Sequence, residues 1–171
     1  MNKFLRLTAL AATAALAFTA TEAAAAPVNA TTNATAHARI LRPLTLTSTQ
    51  NLDLGDIVLS GAAPFSATVS IDKTGVFSCG AAVTCSGTHQ VAIYNVSGTK
   101  SQPVTIAAGN VTLTDAAGDK LTLTPDFNTT LNLTNSGSPG DNFNVGGSIT
   151  VADTTPDGVY TGTFAVTADY Q

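Results

Sequence analysis

The chain has 171 residues, enough for one domain, and only 11% of them are charged, with a net charge of −4. Five scattered cations after the first turn of sequence (Arg39, Arg42, Lys73, Lys100 and Lys120) stand against ten aspartates. This balance excludes a basic face for nucleic acid or anionic membrane. Valine, isoleucine, leucine and phenylalanine recur at strand spacing throughout, which excludes disorder, and the absence of tryptophan excludes a Trp-lined sugar platform.

Residues Met1–Arg6 form a basic head, followed by an apolar run from Leu7 to about Phe18 and an alanine-rich zone before Pro27. That order predicts a secretory signal peptide over residues 1–25. The run is short and interrupted by Thr8 and Thr13, so a membrane anchor is disfavoured, and no other stretch is apolar enough to span a bilayer as a helix. Residues 26–38 are a low-complexity tract in which Ala34, Ala36 and Ala38 alternate with Thr35 and His37. It reads as an amino-terminal extension or as a first strand, with the folded domain over 39–171. Pro43 marks an edge or a break, and Gly55 in LDLGDIVL marks a bulge or bend.

Further strands are predicted at 65–71, 75–79 with 83–85 as its partner, 90–96, 103–107, 110–114, 120–124, 130–134 and 146–152. Turn clusters such as DKTG, SGTK, DAAGD and DTTPDG separate them. No segment after the signal holds a 3.6-residue period for ten residues. The pattern predicts an all-β, Ig-like antiparallel β-sandwich, with an up-and-down β-barrel as the alternative. The Asn135–Asn144 stretch reads as a mobile surface loop rather than a calcium site, since Asp141, Asn142 and Asn144 lack the spacing and closing glutamate of a calcium loop.

Cys79 and Cys85 are the only cysteines, and in an exported chain a disulfide between them is the default. The closed loop is short, worth about 2 kcal/mol by chain entropy, and pins a local hairpin rather than distant strands. Metal binding lacks ligands: His37 and His89 are far apart in sequence, with no third or fourth donor near.

Catalysis finds little support. Ser60, Ser86 and Ser97 precede glycine, but no G-x-S-x-G elbow occurs. Asp53 and Asp56 are three apart, which in a strand puts them on opposite faces. The six N-x-S/T triplets, from Asn29 to Asn132, follow from a threonine- and asparagine-rich composition. The expectation is a protein that is not an enzyme and carries no cofactor.

The final segment, GVYTGTFAVTADYQ, alternates over its whole length and predicts one half-buried strand from 158 to 170. Tyr160, Gly162, Phe164, Val166, Ala168 and Tyr170 fall on one face. A strand left uncovered at the margin of the fold suggests a building block or a binding surface.

The runs ATAHARILRPLTLTSTQNLDLGDIV and NFNVGGSITVADTTPDGVYTGTFAVTADYQ resemble a family of secreted bacterial proteins known as domain of unknown function 4402. The terminal run is also similar to the last strand of chaperone–usher pilus subunits and related spore-coat-like domains, with Tyr170 penultimate and Gly158 fourteen residues from the end. That second likeness implies an assembly face built from Gly158, Tyr160, Phe164, Val166, Ala168 and Tyr170. It also implies a sandwich completed by a neighbour's strand, a periplasmic chaperone and usher together with like subunits as partners, and a location that is secreted, periplasmic or on the bacterial surface. The chain departs from pilins in its local disulfide and in the small side chains of its amino-terminal tract. The function expected is therefore a non-catalytic structural subunit, with a monomeric secreted binding or adhesion module as the alternative.

Overall fold

The computed structural model describes Val28 and residues 31–171. The chain divides into Met1–Ala38 and Arg39–Gln171. The export signal read at residues 1–25 lies outside the described residues. Val28 and residues 31–38 are exposed and form no strand.

The second unit is all β. Its strands are β1 (Thr45–Gln50), β2 (Asp56–Leu59), β3 (Ser66–Ile71), β4 (Phe77–Ser78), β5 (Val83–Ser86) and β6 (Ala92–Ser97). They continue with β7 (Pro103–Ala108), β8 (Val111–Thr114), β9 (Lys120–Phe127), β10 (Thr130–Asn132), β11 (Asp141–Ala152) and β12 (Val166–Tyr170). All the strand ladders are antiparallel. The first strand starts at Thr45 rather than in the alanine tract. Pro43 cannot donate to a ladder, and the Arg42 N–H is instead bonded to Thr99 Oγ1 at 2.7 Å.

β11 organises the fold. Val145 lies opposite Ala92 of β6 on one side and Phe127 of β9 on the other. Gly147 lies opposite Ile71 of β3 and Pro125 of β9. One margin of β11 therefore serves β6 first and β3 afterwards, while β9 holds the other margin. The exchange falls at Gly146, where a β-carbon would overlap the Ile71 carbonyl oxygen and sit 2.5 Å from the Asp72 carbonyl carbon. Glycine is needed because two backbones meet there. Swapping partners part-way along one strand curls this seven-stranded sheet into half a barrel.

Two smaller sheets cover it. The order β10-β7-β12 packs over β6 and the first half of β11, burying Val96, Val104, Ile106, Leu133 and Val145. The β2–β5 pair packs over β3, β8, β9 and the second half of β11, burying Val69, Val83, Leu123 and Ile149. Leu52 and Phe164 touch both cores. The result is the all-β antiparallel sandwich expected, with its larger sheet curled toward the barrel alternative.

Three expectations change. The segment 158–170 is not one strand: Thr161 pairs with Thr114 of β8, and only from Val166 does the chain join β7. Between them Gly162 passes so close to β8 that a β-carbon would lie 2.8 Å from the Thr112 carbonyl oxygen. The stretch 135–144 is not all loop, because β11 begins at Asp141. There the Phe143 side chain is buried, and the Asp141 carboxylate accepts bonds from the Thr134 N–H and hydroxyl and from the Asn135 N–H. Finally, Cys79 and Cys85 are joined as expected, but the segments they follow and occupy are not partners. β4 pairs with β3, and β5 pairs with β2. The bond ties the seven-stranded sheet to the two-stranded one instead of pinning a hairpin.

The β3–β4 turn carries the clearest electrostatic signature. Asp72 Oδ1 accepts from the Thr74 hydroxyl at 2.6 Å, the Thr74 N–H at 2.8 Å and the Val76 N–H at 2.9 Å. The Thr74 hydroxyl, then the Val76 N–H, hold the Asp72 pKa below its ordinary 3.8. A depressed folded pKa contributes stability that is fully present above the ordinary value and is lost as pH falls through the folded one. Thr74→Val is therefore expected to move the Asp72 carboxyl titration up toward 3.8, read by carbon NMR, and to shrink the stability lost below that pH. An unmoved titration would remove the Thr74 hydroxyl from the account.

Candidate functional site

Where the two covering sheets fail to meet, the fold leaves a cleft of about 1300 Å³. One wall runs from Asn51 to Leu59, and the other from Thr155 to Phe164. The floor is apolar: Leu113 of β8, Leu121 and Leu123 of β9, and Ile149 and Val151 of β11. Ser48 of β1 and Tyr94 of β6 close one end.

Each wall is held from behind. Asp53 and Gln90 exchange backbone bonds of 2.9 Å, and the Asp53 carboxylate accepts the Gly55 N–H at 2.9 Å. Gly55, at φ 73°, then bends the chain into β2, where β5 and the disulfide secure it. The bend that LDLG announces is real. On the opposite wall Thr155 Oγ1 accepts the Ala152 N–H at 2.8 Å, and Tyr160 donates its hydroxyl to the Pro156 carbonyl at 2.9 Å. Thr161 and Thr114 exchange two backbone bonds, of 2.8 and 3.1 Å.

Both walls border the cleft in unbroken runs of residues. Among the described residues, β2 is paired on one margin only, by β5. Residues 162–165 take part in no ladder. The cleft thus has stretches of backbone outside any ladder beside a floor on which Leu113 and Leu121 are half-buried and Leu123 is fully buried, with Val58 (56% exposed) and Val159 (81%) among its lining residues.

The lining contains Asp53, Asp56 and Asp157 and no lysine, arginine or histidine. Burial, then the charges of Asp115, Asp119 and Asp157, push the Tyr160 hydroxyl above its ordinary pKa. Burial does the same to Tyr94, partly offset by a bond with Ser48. Neither histidine lines the cleft. His89 stacks on Phe77, ring centroids 4.1 Å apart, and His37 is exposed ahead of the domain. Among the described residues no group of acids, cysteines and histidines is placed to hold a metal ion.

The six residues read as one assembly face go to two places. Gly158, Tyr160 and Phe164 line the cleft. Val166, Ala168 and Tyr170 pack against the core beneath β7 and β11. Phe164 belongs to both settings. Gly158 sits where a β-carbon would be 2.6 Å from Asp115 Oδ2. The Tyr170 hydroxyl accepts the Thr99 N–H at 2.6 Å and donates to the Arg42 carbonyl at 2.8 Å, pinning the entry to the domain. Sequence reading missed the Asn51–Leu59 wall and the floor leucines. Their alternation was visible, but not the cavity they border.

The family model described as Domain of unknown function (DUF4402) matches residues 44–170. The chain belongs to this family. The DUF4402 match covers β1 through β12 and both walls of the cleft, and it starts after the alanine–threonine tract. No curated protein and no solved structure matches the chain.

Proposed function

We propose that this DUF4402 protein is a non-catalytic structural subunit of a secreted or surface assembly, and that its cleft takes a β-strand from another polypeptide. The observation that carries this reading is an apolar cleft bordered by β2, which is paired on one margin only, and by residues 162–165, which join no ladder. Small-molecule pockets are usually enclosed and of roughly 300–1,000 Å³, whereas this cleft is larger. A lipid or aromatic ligand would fill the apolar cleft but leave the second margin of β2 and the backbone of residues 162–165 without partners. An added strand supplies both, with ladder bonds for affinity and alternate side chains for the floor.

A periplasmic chaperone would shield the same margins before assembly, and an usher would deliver the subunit. The disulfide fits an oxidising compartment.

Val58→Lys tests the reading. Val58 is half-exposed on the rim, so the domain should fold with an unchanged urea midpoint. Association should weaken at least about 10-fold, because a lysine ammonium would be carried into the filled cleft. Sedimentation velocity measures it, and association equal to that of the unsubstituted chain would contradict strand addition in the cleft.

A further inference from the structure

The disulfide and the cleft meet at one wall. We infer that Cys79–Cys85 is a reducible brace: a dithiol that opens it frees the Asn51–Leu59 wall and loosens the cleft while the rest of the domain stays folded. The inference concerns the wall itself and holds whatever fills the cleft.

The β2–β5 pair is a separate two-stranded sheet, and among the described residues no ladder joins it to the seven-stranded one. The Ser60 and Gly61 N–H groups beyond β2 bond to the Ala82 carbonyl, so they too stay within the pair. A two-stranded sheet is marginal without support. Here the support is the packing of Ile57, Val83 and Cys85 in the first core, the Phe77–His89 stack and the disulfide. The disulfide is the covalent one of these.

The two sulfurs stand in different settings. Cys79 follows β4, whose Ser78 pairs with Ser70 of β3. The next residue presses on β3, since a β-carbon at Gly80 would lie 2.8 Å from Ala67 Cβ and 3.0 Å from the Thr68 carbonyl oxygen. The Cys79 side of the bond is therefore fixed to the seven-stranded sheet. Cys85 lies within β5 opposite Ile57 of β2, so it moves with the wall. The Asp53–Gln90 bridge at the far end of the pair is untouched by reduction and serves as the hinge. Cys79 is exposed and Cys85 half-buried against the first core, which makes Cys79 the sulfur that an incoming thiol reaches.

The step is thiol–disulfide exchange. One thiol of the dithiol gives up its proton, and the thiolate attacks Cys79 Sγ. The S–S bond breaks, and its electron pair leaves on Cys85 as a thiolate, which takes up a proton. The second thiol then displaces Cys79 from the mixed disulfide, so the protein gains two electrons and the dithiol ends as a disulfide. The cysteines are only 6 apart in sequence. Opening so small a loop releases little chain entropy, and the effect stays local.

The test reduces the full chain with dithiothreitol, without denaturant, and follows residue-resolved amide exchange in the unfilled monomer. Both cysteines should become alkylatable, and exchange at Val58 and Thr84, which pair across β2 and β5, should quicken at least about 10-fold. Val69 and Val145 should change by less than about 3-fold, and reoxidation should restore the starting state. The double variant Cys79→Ser, Cys85→Ser should show the loosened wall without reductant. Glutathione, a monothiol, should be trapped on Cys79 at least about 10-fold more than on Cys85. A bond that resists dithiothreitol until urea is added would overturn the inference, as would reduction that leaves Val58 and Thr84 unmoved. Equal acceleration at Val69 and Val145, or a double variant that does not fold, would show a staple of the whole fold and overturn it too. Glutathione on Cys85 would overturn the direction of attack. None of these readouts involves a bound strand, so their failure leaves the strand-addition reading standing.

Discussion

Gly146→Ala is expected to lower the stability of the domain by about 3 kcal/mol or more, at the upper end of what overpacking costs, and Gly146→Val to prevent folding. The clash is with backbone: the Ile71 carbonyl oxygen and the Asp72 carbonyl carbon occupy the space a β-carbon would take. No rotamer change relieves it. Relief would require parting β3 from β11 at the point where β11 exchanges β6 for β3, and both cores depend on that exchange. Against a typical domain stability of about 5–15 kcal/mol, the urea midpoint of the alanine variant should fall by about 1–3 M. Gly109→Ala is the control, since a β-carbon there meets nothing within 4 Å. Equal midpoints for the two variants would mean that β11 does not switch partners at residue 146.

Tyr170→Ala is expected to cost about 2–4 kcal/mol, somewhat less than loss of a fully buried aromatic ring because Tyr170 is half-buried, and Tyr170→Phe about 1–3 kcal/mol. The ring packs, half-buried, against the cluster containing Val104, Ile106 and Leu133. The hydroxyl joins the Thr99 N–H to the Arg42 carbonyl, so its removal leaves one donor and one acceptor without their partner. Gly98 lies directly over it, and a β-carbon there would overlap the hydroxyl oxygen and approach Leu44 Cδ2 at 2.7 Å. Amide exchange separates the two contributions. Tyr170→Phe should speed exchange at Thr99 while leaving Val104 and Ile106 protected. Unchanged exchange at Thr99 would mean that the hydroxyl does not clamp the entry.

The strands were largely legible because each carries its own alternation. Ser66–Ile71, Ala92–Ser97 and Pro103–Ala108 bury every second residue or nearly so, and the hydrophobic term acts locally enough to show it. Pairing was not legible. Cys79 and Cys85 look like two sides of a hairpin because they are near in sequence, yet β3 and β2 compete for their strands and win. The 158–170 segment keeps its alternation through the bend at Gly162, since no residue is inserted, so nothing in the pattern marks the change from β8 to β7. Tyr170 could be placed on the inner face, but its hydroxyl partners lie 71 and 128 residues away. The cleft was harder still: Leu113, Leu121 and Leu123 read as ordinary inward positions. That they also border a cavity depends on how far β2 stands from the 155–164 wall, a property of the whole fold and not of any segment.

Residue-resolved amide exchange, on the monomer and on the assembled protein, bears most directly on that vacancy between the walls. In the monomer, Ile57 and Leu59, whose N–H groups point away from β5, and residues 162–164 should exchange orders of magnitude faster than Val69 and Val145, which lie within paired strands. On assembly the amides of both walls should slow together by at least about 100-fold, as one ladder forms along each margin. Wall amides already protected in the monomer, or still exchanging freely in the assembly, would contradict the account.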